Sequence, residues 1–79
     1  MMTPRAQKGS KDESVFVDNV RIVIDWSRWE EGMSVFVPCI DVEDLRRQMH
    51  RKARVYGYTL TTKERIENQQ FGVRFWRIA

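Results

Sequence analysis

Apolar and polar positions follow two different periods along this chain, and each period predicts a different element. Over residues 20–25 (VRIVID) the period is two: Val20, Ile22 and Ile24 share one face, and Arg21, Val23 and Asp25 share the other. That alternation predicts a strand. Residues 15–17 form a shorter β-prone piece, separated from it by the turn-like pair Asp18-Asn19. Residues 33–37 are rich in β-branched and aromatic side chains, and Pro38, which lacks an N–H, ends their part in a ladder. The strands at 20–25 and 33–37, joined across residues 26–32, are expected to form an antiparallel hairpin.

The period then lengthens. Val42, Leu45, Met49, Ala53 and Tyr56 recur at offsets of three and four, a single amphipathic stripe. Asp41 stands where an N-cap belongs. Glu43 and Asp44 place negative charge at the positive end of the helix dipole. Gly57 suits the left-handed residue that closes a helix. A helix over about residues 42–56 follows.

Residues 58–79 admit two readings. In the first, 58–65 is a strand, 66–70 a turn and 71–78 (FGVRFWRI) the returning strand. In the second, Thr61 caps another helix, because Thr61-x-x-Glu64 matches a capping box. That helix would have only Ile66 for an apolar stripe, whereas Thr59, Thr61 and Thr62 favour a strand. The expected fold class is therefore α+β, a small antiparallel sheet of order β-β-α-β-β covered by one amphipathic helix. The alternative is a helix-turn-helix with a terminal strand.

Length bounds the rest. Seventy-nine residues make one domain at most, here expected over residues 14–79, with the polar residues 1–13 as a flexible arm. No run approaches the ~20 apolar residues of a membrane span, so no membrane partner is expected. The sole cysteine, Cys39, cannot form an intramolecular disulfide, and the polar first residues lack the apolar core of a secretory signal. Both point to a reducing, cytoplasmic compartment. Cys39 and His50 are two of the four ligands that a structural zinc site needs, so no metal is expected. A domain this small buries a thin core, and an unpaired edge strand could support a homodimer.

Charge is unevenly placed. Residues 1–40 carry five Lys/Arg against six Asp/Glu, whereas residues 46–79 carry nine against two. A basic half suggests a polyanionic partner, and the competing reading is a solvated face that keeps the chain in solution. On the predicted helix, Arg47, His50, Arg51 and Arg54 fall at i, i+3, i+4 and i+7 and so project together, flanked by Arg46 and Lys52. Arg46, Arg47, His50, Arg51 and Arg54 are thus candidates for phosphate contact, with DNA ahead of RNA as the partner. In the terminal strand, Arg74, Trp76 and Arg77 combine cations with an aromatic ring, the chemistry that stacks bases and grips phosphate. Trp26 and Trp29 flank Ser27-Arg28 in a connection: one of them is expected to close the core as a lid, whereas both exposed, with Arg28, would anchor a protein partner instead.

Catalysis finds little support. The glycines are scattered rather than gathered in a phosphate-binding loop, and a Cys39–His50 dyad is only formally available. The expectation is a protein without enzymatic activity or cofactor.

Two stretches, residues 32–38 (GMSVFVP) and 72–78 (GVRFWRI), separated by a basic helix and a Thr-rich strand, resemble a loose group of small phage-encoded proteins of unknown function. The resemblance covers roughly the C-terminal two-thirds. It implies bacteriophage origin and action inside a bacterial host cell, with no established site residues. In that setting the expected function is nucleic-acid binding that regulates transcription. The alternative is an inhibitor of a host protein such as RNA polymerase or a defence nuclease.

Overall fold

The computed structural model describes residues 13–79. The expected arm, apart from Glu13, lies outside the described residues. Among these, β1 (Ser14–Val17) and β2 (Val20–Val23) are followed by a 3-10 turn (Trp26–Arg28) and β3 (Ser34–Pro38). Then come α1 (Val42–Tyr56), β4 (Leu60–Glu67) and β5 (Gln70–Arg77). The fold is α+β. Its strands form two antiparallel sheets, a β1–β2 ribbon and a three-stranded sheet of order β3–β5–β4.

Local chemistry places the helix and the tight turns. The Asp41 side chain accepts the Asp44 N–H at 3.2 Å, and Gly57 closes α1 at φ 78°, a conformation that costs glycine nothing. Both hairpins turn on two residues in the left-handed region: Asp18 and Asn19 (φ 53° and 62°), then Asn68 and Gln69 (φ 50° and 66°). Such turns match the right-handed twist of paired strands.

Three expectations need correction. The strand at Val20 does not pair forward with the strand at Met33; it pairs back with β1, from Val17↔Val20 to Ser14↔Val23. The two-residue turn at Asp18-Asn19 closes that ribbon locally, whereas residues 26–32 are occupied by a 3-10 turn and two indoles that enter the core. β3 pairs instead with β5, from Ser34↔Trp76 to Pro38↔Gly72. The helix-turn-helix alternative also falls, because residues 60–67 are a strand paired throughout with β5. The turn is shorter than residues 66–70, since Ile66↔Phe71 and Glu67↔Gln70 remain in register.

The core joins both sheets and the helix. Leu45, Met49 and Ala53 of α1 meet Val37, Leu60, Val73 and Phe75 of the three-stranded sheet, and Val15, Val17 and Ile24 close it from the ribbon side. Each buried large apolar side chain contributes about 1.5–3 kcal/mol. The ribbon is tied on by polar contacts as well. The Asp18 carboxylate accepts the Ile40 N–H at 2.6 Å and the Asp41 N–H at 3.2 Å, just ahead of α1. Among the described residues no helix is long and apolar enough to cross a membrane.

Candidate nucleic-acid interface

With Leu45, Met49 and Ala53 facing inward, helical geometry turns Arg47, His50, Arg51 and Arg54 outward, and all four are exposed. Arg47 pairs with Asp44 at 3.1 Å, yet its side chain keeps 61% of its exposure. His50, Arg51 and Arg54 form no ion pair with another described residue. Arg46 belongs elsewhere. It turns to β4, donating to Thr62 Oγ1 and to Glu64 Oε2, both at 3.3 Å, and also meets Glu43 at 3.6 Å. Its role is to pin the helix to the sheet.

The strand-borne candidates separate in the same way. Residues alternate along β5, so Val73 and Phe75 enter the core while Arg74 and Trp76 stand on the open face, away from α1. Arg74 is committed within the fold. Its Nε and Nη2 donate to the two carboxylate oxygens of Glu67 at 2.7 and 2.6 Å, and its Nη1 donates to Ser34 Oγ at 2.7 Å. This two-pronged bond holds the Glu67 carboxyl below its ordinary range and raises the Arg74 guanidinium. Arg77 is committed too. It donates to the Trp29 carbonyl at 2.7 Å and lies 3.8 Å from the centre of the Tyr58 ring. Trp76 is half-buried and keeps part of its indole at the surface.

Trp26 and Trp29 are both buried, at 0% and 3% exposure, which corrects their reading as surface anchors. Their rings lie 5.2 Å apart, and Trp26 also stacks on Tyr56 at 5.6 Å. Each indole N–H is satisfied by a backbone carbonyl, Trp26 by Glu13 at 3.2 Å and Trp29 by Met33 at 2.9 Å. A polar edge with a partner lets an indole be buried even in a connection. Arg28, between them, stays exposed beside Asp25 at 3.5 Å.

Cys39 and His50 do not come together as a dyad. Cys39 lies in the core, where burial, and then the Asp18 and Asp41 carboxylates, push its thiol up; His50 stands on the outward helix face. A raised thiol is the opposite of an activated nucleophile. Among the described residues, no three His, Cys, Asp or Glu side chains gather as a metal site.

Sequence reasoning did not single out Phe36, Lys63 or Arg65. Register places all three on the open face with Trp76: Phe36 and Lys63 flank Arg74, and Arg65 lies opposite Gly72. The Phe36 ring occupies the space over Gly72, because a Cβ built there would approach its Cζ to 2.9 Å. The Arg74 guanidinium lies 5.8 Å from the centre of that ring. The available signal was period-two alternation in residues 60–67, which sets Thr61, Lys63, Arg65 and Glu67 on one face.

No protein-family model, curated protein or solved structure matches the chain.

Proposed function

We propose that this protein binds nucleic acid, and that the outward face of α1 meets the phosphates. One observation carries the reading: Arg51 and Arg54 are exposed beside Arg47 and His50, and neither has an acidic partner among the described residues. Like charges at i,i+4, as in Arg47/Arg51, repel by a few tenths of a kcal/mol. A polyanion turns that repulsion into attraction and gains counterion release at each contact. Arg47 and Arg54 are seven residues apart, about 10 Å along the helix. A helix with its side chains is about 10–12 Å across, so the major groove of B-DNA, roughly 12 Å wide, admits α1 with these side chains against its phosphates. Duplex DNA is therefore the favoured ligand, and occupancy of a promoter would regulate transcription. The resemblance to small phage-encoded proteins would set that role in a bacterial host.

Fluorescence anisotropy with a labelled duplex at several salt concentrations tests the reading. Binding is expected to weaken steeply with salt. The double variant Arg51→Ala/Arg54→Ala is expected to flatten the slope of log K against log salt by about 1.8, two phosphate contacts. A double variant that binds as tightly as the parent, with the same slope, overturns it.

A further inference from the structure

We propose that the open face of the three-stranded sheet is a second site, one that takes unpaired nucleic acid, with Trp76 stacking on a base and Lys63 and Arg65 holding its phosphates. The ligand class rests on the function proposed above, whereas the geometry is separate. α1 covers the Val73/Phe75 side of the sheet, and Trp76, Lys63 and Arg65 stand on the other side.

Three observations carry it. First, Trp76 sits on the central strand between Ser34 and Thr61, its register partners on β3 and β4. Both are short side chains, so a planar group can reach the ring across the strands. Trp26 and Trp29 are buried in the core, so Trp76 is the tryptophan that keeps part of its ring at the surface of this sheet. Second, the charge on this face suits a polyanion. Lys63 and Arg65 are exposed and follow Thr61 at two-residue steps, about 7 Å apart along β4. Lys63 has no ion-pair partner among the described residues. Arg65 meets Glu67 at 3.3 Å, but that carboxylate already takes the two-pronged bond from Arg74. Third, the surroundings of the indole are fixed in advance. Arg74 is held by Glu67 and Ser34, and the Phe36 ring lies over Gly72, so ligand binding need not order them.

The face selects unpaired strands for a geometric reason. In a duplex each base is already stacked on its neighbours, and a flat sheet face cannot reach into the stack. In a single strand every base offers a π-face, and stacking on an aromatic side chain tolerates any sequence.

Intrinsic fluorescence tests this on the full chain. Titration with an oligo(dT) of about 12 nucleotides should quench Trp76 emission, and rising salt should reverse the quench. Trp76→Phe keeps an aromatic platform: binding read by anisotropy of labelled oligo(dT) is retained, whereas the quench disappears because Trp26 and Trp29 are buried. Trp76→Ala is expected to weaken oligo(dT) binding between about 5-fold and 150-fold. Lys63→Ala/Arg65→Ala should flatten the salt slope by about 1.4. Arg51→Ala/Arg54→Ala, on the opposite side, should leave the quench in place, so loss of duplex binding and loss of this site are read separately. Absence of quenching at low salt overturns the proposal, as does equal quenching by polyglutamate, which would assign the face to an acidic peptide.

Discussion

Gln48 holds the backbone of Phe16 with both ends of its amide: Oε1 accepts the Phe16 N–H at 2.9 Å, and Nε2 donates to the Phe16 carbonyl at 2.6 Å. A helix side chain thus behaves as a neighbouring strand would, covering one step of the outer edge of β1. The same Nε2 donates to Asp44 Oδ2 at 2.9 Å, which fixes the amide's orientation. Together with the Asp18 contacts, this pair fastens the ribbon to the helix.

Gln48→Ala should therefore cost about 1 kcal/mol, since these bonds are near the surface and water can replace part of each. The loss should be local, appearing in hydrogen exchange as faster opening at Phe16 than at the core residues Val73 and Phe75. A uniform acceleration through the chain would show that Gln48 does not act on the ribbon alone.

Asp18 acts at the other end of the same junction. Asp18→Ala removes the acceptor for the Ile40 and Asp41 N–H groups and leaves an alanine at φ 53°. A loss of about 1–2 kcal/mol in urea unfolding is expected. Asp18→Asn, which tolerates the left-handed region and keeps one acceptor oxygen, should recover part of it.

Gly72 is required by a close approach between β3 and β5. A Cβ there would collide with the Val37 carbonyl oxygen and come within 2.7 Å of Pro38 Cα. Both are backbone atoms, so the strands themselves must move. Gly72→Ala should destabilise by about 2–3 kcal/mol. Truncating Phe36 as well relieves only the contact with its ring, so Phe36→Ala/Gly72→Ala should not restore the melting temperature.

The ion pair on the open face gives stability a defined pH dependence. The Arg74 hydrogen bond, then its charge and that of Arg65, hold Glu67 below its ordinary value of 4.5, against the opposing effect of burial. A carboxyl lowered in the folded state favours folding above its unfolded pKa, and this contribution is lost as pH falls through the folded one. The difference in urea midpoint between the parent and Glu67→Gln should therefore be full at pH 7 and close progressively below about pH 4.5. A gap that stays constant down to pH 3 would show that the charge on Glu67 contributes nothing.

Sequence by itself determined the elements whose signals are local. The 3.6 period with Asp41 and Gly57 at its ends gave α1 its observed limits, and Asp18-Asn19 marked the first tight turn. It also placed Arg47, His50, Arg51 and Arg54 on one face, because a helix fixes the angle between its residues whatever surrounds it. The β4–β5 hairpin was also legible in the sequence, whereas tertiary structure alone decided that β3 pairs with β5, which cations remain free and which aromatics are covered. Arg74 meets Glu67 across the local β4–β5 hairpin, but it meets Ser34 across 40 positions and Arg77 meets the Trp29 carbonyl across 48, and nothing near in the chain foretells those two contacts. Burial of the Trp26 and Trp29 indoles needed backbone carbonyls to receive their N–H groups, one of them 13 positions away. Periodicity and capping are properties of consecutive residues, while pairing, burial and ion-pair choice belong to distances that exist only once the chain has folded.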